Sequence, residues 1–140
     1  MKYLLITLCL TSILFSCDTS KMSKTPDDQF IGDWVLRDRG RLDGIEIEIS
    51  KDEKGNFSGL ITKLNDDKYV TLFMEEGDKI VSEIKRNSNF EFVLSEKKIA
   101  APLFSAYGQG TTAEFSAKFQ GKDTILLGNN GADGAYIRKN

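Results

Sequence analysis

The chain has 140 residues, 40% of them hydrophobic and 29% charged, with a formal net charge of −2 and no histidine. Without imidazole there is no Ser-His triad, no histidine general base and no histidine metal site, and the slightly acidic balance gives nucleic acid no electrostatic invitation. Both cysteines, Cys9 and Cys17, fall in the N-terminal segment, so the rest of the chain has neither disulfide nor thiol chemistry.

The chain opens on "MKYLLITLCLTSILFSCD": one lysine, an uncharged apolar run from Tyr3 to Ser16, then Cys17. A run this short falls below the roughly 18 to 20 residues that span a bilayer, so it reads as a signal-peptide core. "LFSC", Leu14 to Cys17, resembles the bacterial lipobox. The resemblance implies cleavage after Ser16, a diacylglyceryl thioether on Cys17 and acyl chains of the palmitate type. Each buried methylene contributes roughly 0.8 kcal/mol, so two or three chains anchor a protein firmly. The expected location is the bacterial cell envelope, with the outer membrane favoured, and the membrane itself is the first expected partner. An ordinary secretory signal is the rival reading.

Residues 17–29, "CDTSKMSKTPDDQ", hold one large apolar residue among Ser, Thr, Lys, Asp and Pro, and read as a disordered tether. The domain organisation expected is therefore a signal peptide over 1–16, a lipidated tether over 17–29 and one folded domain over 30–140.

From Phe30 the pattern changes to short period-two segments separated by Gly, Asn and Asp clusters. Strands are predicted over Phe30–Asp38, Gly44–Ser50, Phe57–Leu64, Tyr69–Glu75, Lys79–Arg86, Phe90–Ser95, Thr112–Phe119, Thr124–Gly128 and Ala135–Lys139. "GIEIEIS" alternates cleanly, with Ile45, Ile47 and Ile49 on one face and Glu46 and Glu48 on the other. "EKKIAAPLFSAYGQGT" is broken by Pro102 and glycines, and no amphipathic helix is predicted. An all-β chain with short hairpin links manages its sheet edges by closing into an up-and-down antiparallel barrel of about eight or nine strands. The alternative is a β-sandwich.

"FIGDW", Phe30 to Trp34, contains the single tryptophan, two residues after Gly32, and the last strand ends in "AYIRKN". Gly-x-Trp on the first strand with a basic residue on the last resembles the lipocalins and the wider calycin group. The resemblance implies that Gly32, Trp34 and Arg138 close one barrel end, the guanidinium stacked on the indole. No second lipocalin motif, long helix before the final strand or helix pair of the fatty-acid-binding type accompanies it.

Function is then expected at the other end. A barrel of this size either fills with side chains or holds one small ligand. Tyr69, Phe73, Phe92 and Phe115 are the candidate cavity residues, and a dry packed core is the alternative use of the same side chains. Ile99, Leu103, Phe104 and Tyr107, in the one long connection, are candidates for a mouth loop. "RDRGRLD", Arg37–Asp43, reads as a solvated charged loop or a site for an anionic head group. "GNNGADG" reads as a wide turn, because its one aspartate cannot build a calcium site. No metal, cofactor or catalytic pair is expected. The leading expectation is a membrane-anchored envelope lipoprotein that binds a small hydrophobic or amphipathic ligand for transport, storage or sequestration without catalysis. The alternative is a protein-interaction module, such as an envelope inhibitor or immunity-type protein, acting on an envelope protein through its loops.

Overall fold

Period-two alternation puts Trp34 and Leu36, Ile47 and Ile49, Phe57 and Ile61, Phe92 and Leu94, and Ile125 and Leu127 on the inner faces of their strands, and all of these are buried. The computed structural model describes residues 23–140. It shows an eight-stranded antiparallel β-barrel: β1 (Gly32–Arg37), β2 (Glu46–Lys51), β3 (Phe57–Lys63), β4 (Lys79–Arg86), β5 (Glu91–Lys97), β6 (Thr112–Gln120), β7 (Thr124–Leu127) and β8 (Ala135–Arg138). Each strand pairs with the next, and β8 returns to β1, so no sheet edge is left open. The segment expected to be a signal peptide, residues 1–16, and Cys17 lie outside the described residues.

Two corrections to the sequence expectations concern the long connections. Tyr69–Glu75 is not a strand: Lys68–Phe73 is a short helix, α1, whose N-terminus is capped by Asp67, its side chain accepting from the Tyr69 and Val70 amides. The aromatic and β-branched residues of "KYVTLF" suit a strand by composition, yet the cap decides the local structure. "APLFSA", Ala101–Ala106, forms a second short helix, α2, with proline in its first turn. Proline there gives up an amide that would have no helical partner anyway.

The connections sort by length between two poles. Tight turns at 52–56, 87–90 and 121–123 lie at one pole; the longer links 38–45, 64–78, 98–111 and 128–134, with both helices, lie at the other. The first is the closed pole. A 3₁₀ turn, Asp27–Phe30, crosses it and drops Phe30 into the core. The Phe30 ring centroid lies 4.6 Å from Phe92, 4.7 Å from Phe119 and 5.8 Å from Phe57. Trp34, fully buried, donates from Nε1 to the Phe30 carbonyl at 2.8 Å. Arg138 faces Trp34 directly across the β1–β8 seam, with its guanidinium carbon 4.2 Å from the indole centroid. Its Nη2 donates to the Gln29 carbonyl at 2.7 Å and its Nη1 to that of Ile31 at 3.1 Å.

Gly32 makes room for that arginine. A Cβ at Gly32 would stand 2.6 Å from Arg138 Nη1, and the residue has φ +133°, which L side chains rarely adopt. Gly32→Ala is expected to cost about 1–3 kcal/mol in urea melts, through backbone strain and displacement of the guanidinium from the indole. A loss within 0.5 kcal/mol, the usual range for an inconsequential surface change, would rule this out.

Candidate functional site

At the open pole the side chains do not meet. The turn after β1, α1, the end of β5, α2 and the start of β6 surround a pocket of about 610 Å³ that opens to solvent. Leu42 and Phe73 contribute to one side of its lining, and Ile99, Phe104, Ala113 and Phe115 to the other. Below it the barrel is filled: Leu36, Ile45, Ile47, Ile61, Ile80 and Leu94 are fully or almost fully buried. Cavity and packed core thus both occur, stacked along one axis.

Of the candidate cavity residues, Tyr69, Phe73 and Phe115 line this pocket. Tyr69 and Phe73 do so from α1 and not from a strand, and Tyr69 is exposed at the rim. Phe92 does not belong to it. It lies on the inner face of β5 four residues before Glu96, about 13 Å along the strand, and joins the aromatic cluster of the closed pole instead. Of the mouth-loop candidates, Ile99 and Phe104 line the pocket, while Leu103 and Tyr107 on and just after α2 point to solvent, 49% and 80% exposed. Gly32, Trp34 and Arg138 occupy the opposite pole. Cys17 lies outside the described residues.

The base of the pocket is polar. Glu96, 3% exposed, accepts from Tyr136 Oη with one carboxylate oxygen and from Arg39 Nη2 with the other. Arg39 Nη1 donates to the Asp133 carbonyl at 2.6 Å, and the guanidinium lies 4.5 Å from the Phe115 ring centroid. Its Nε is buried with no hydrogen-bond partner among the described residues. The expectation of a solvated loop over Arg37–Asp43 therefore fails at Arg39, whose side chain is 6% exposed. Burial holds the Glu96 carboxyl above the ordinary carboxylate range, with Arg39 and Tyr136 opposing that rise. Burial, then the Glu96 charge and hydrogen bond, push Tyr136 well above the usual phenol value.

Glu96 had a sequence signal. In "EFVLSEK" it shares the period-two face of Phe92 and Leu94, so a carboxylate stands at an inward position. Arg39 had none, since its burial depends on the turn at 128–134, where Gly134 packs a Cβ-less backbone against Asp38 and Arg39.

No family model, curated protein or solved structure matches the chain. The site must therefore be read from its own chemistry. The upper wall is cationic and aromatic together. The Arg41 guanidinium carbon lies 4.2 Å from the Tyr69 ring centroid and Lys98 Nζ 4.6 Å from that of Phe104, with Lys97 alongside. Arg41 also pairs with Asp67 at 3.1 Å. Among the lining residues Arg39, Arg41, Lys97 and Lys98 face the single acid Glu96. Both oxygens of that acid are engaged, by Tyr136 and Arg39, and the lining contains no Ser, Thr or Cys. Among the described residues no Asp/Glu cluster is arranged to hold a metal, and no helix is long and apolar enough to cross a membrane.

Proposed function

We propose that this protein is a lipocalin-like lipoprotein of the bacterial envelope, anchored through Cys17, that binds a small amphipathic molecule in the open-pole pocket and performs no chemistry on it. The observation that carries the reading is the pocket of about 610 Å³, apolar over most of its wall, above an otherwise filled barrel. That volume suits a drug-sized or acyl ligand. The surplus of cations around it favours a ligand with an apolar body and an anionic end.

The test is competition against a fluorescent fatty acid, using a saturated carboxylate and the alcohol of the same chain length. Both are expected to displace the probe, the carboxylate several-fold more tightly. Phe104→Asp, which sets a carboxylate into an apolar wall, is expected to weaken binding at least tenfold while the thermal midpoint moves by only a few degrees. No displacement by either ligand, together with no adduct in native mass spectrometry of protein from a bacterial host, would sink the reading.

One feature favours interaction through the loops. Leu72 at 71%, Tyr107 at 80% and Leu103 at 49% exposure give the rim of the mouth an apolar character beyond what the pocket needs. An envelope protein docked there would occlude the pocket, and loss of ligand competition on adding that partner would mark this mode.

A further inference from the structure

The two poles differ in how the chain enters them. The first described residues are tied to the closed pole. The Thr25 amide donates to the Asn89 carbonyl at 3.0 Å, and Arg86 reaches back to the Thr25 carbonyl and the Asp27 carboxylate. Asp28 pairs with Lys51 at 3.1 Å, Gln29 Nε2 donates to the Gly121 carbonyl at 3.0 Å, and Phe30 is locked among the aromatics below. These contacts fasten the strap to β2, β4 and two closed-pole turns.

Resting on the reading of Cys17 as the anchor, we infer that the closed pole is the surface this protein sets against its membrane, and that the pocket mouth opens into the aqueous compartment on the far side. From Cys17 to Thr25 a fully extended chain reaches at most about 29 Å. The nine residues of β6, at about 3.3 Å each and tilted by about 40°, already span about 23 Å of barrel axis, before the open-pole helices are added. Bringing the mouth down to the bilayer requires inverting the barrel and running the chain, almost fully stretched, along its whole side. Setting the closed pole down requires no such stretch, and stretching a chain costs conformational entropy. The ligand then reaches the pocket from the aqueous phase, and neither the protein's own acyl chains nor the bilayer that holds them feeds the mouth.

The test uses the full chain, expressed in a bacterial host, purified with its native acylation and reconstituted into phosphatidylcholine vesicles containing phosphatidylglycerol. Leu103→Cys marks the mouth and Lys54→Cys the closed-pole turn; with Cys9 cleaved off and the Cys17 sulfur acylated, each is the one reactive thiol. Energy transfer from a dye on each site to acceptor headgroups is expected to be strong at position 54 and weak at position 103, with the mouth farther by roughly the barrel length. Inserting about twenty Gly/Ser residues before Ser23, which removes the length limit, is expected to erase the difference. Equal transfer at the two sites, stronger transfer at the mouth, or indifference to the inserted linker overturns the inference. A missing acyl mass on Cys17 overturns it through the anchor, whereas failed ligand competition on the same preparation counts against the pocket reading alone.

Discussion

Trp34→Ala is expected to cost about 3–5 kcal/mol, the range for deleting a large buried aromatic, and to lower the thermal midpoint by more than 10 °C at about 4 °C per kcal/mol. The indole is fully buried and has three dependants. Its Nε1 donor holds the Phe30 carbonyl, its face carries the Arg138 guanidinium, and its ring lies tilted to Phe119 at 6.3 Å between centroids. Removing it leaves a cavity and releases the strap that drops Phe30 into the core. Arg138→Ala leaves the ring in place and is expected to lose less, about 1–3 kcal/mol from the cation–π contact and the orphaned carbonyls. Paired urea denaturation curves measure both. Equal and small losses would mean that the closed pole is held by strand pairing alone.

The second large effect lies at the other pole. Arg39→Met should cost about 3–5 kcal/mol at neutral pH, because it strands the buried Glu96 charge. Its pH dependence is the sharper signature. Burial raises the Glu96 carboxyl in the folded protein, so between its ordinary value of 4.5 and the raised one the native state holds more protons than the unfolded chain, and stability falls as pH rises through that window. Without the Arg39 charge the carboxyl rises further and the window widens upward. The deficit of Arg39→Met relative to the parent is therefore expected to shrink as pH is lowered from 8 to 5, in urea melts at each pH. A deficit that does not change with pH would show that Arg39 contributes through packing on Phe115 and not through Glu96. The triple change Arg39→Met, Glu96→Leu, Tyr136→Phe, which removes the whole network, is expected to recover most of the loss.

The barrel was legible because its signals are local and repeated. Period-two alternation located β2, and the links flanking β5 to β8 contain the glycines and asparagines that hairpins need. Gly32, Trp34 and Arg138 were legible as a group because they stand on the first and last described strands, where β1 meets β8. The open pole was not. "NDDKYVTLF" offers a strand-like composition, and only the Asp67 side chain turns it into a helix, a choice of one hydrogen-bonding group over six residues. In "IAAPLFSAYG" the proline and glycines read as helix breakers, yet Pro102 sits in the first turn of α2 and Gly108 just past its end. The Arg39–Glu96–Tyr136 network joins residues 40 and 57 positions apart, and no local pattern announces a contact of that kind.

The last strand has a consequence for how the molecule is made. β8 is four residues long, yet Tyr136 reaches the network beneath the pocket while Arg138 reaches over Trp34 at the opposite pole. Seven seams join neighbours in sequence; the eighth joins β1 to β8 and needs the strand made last. During synthesis the growing polypeptide can form hairpins in order, but neither pole can be sealed until β8 has emerged. The barrel is complete only at this stitch, and a chain cut before Ala135 loses both of its ends at once.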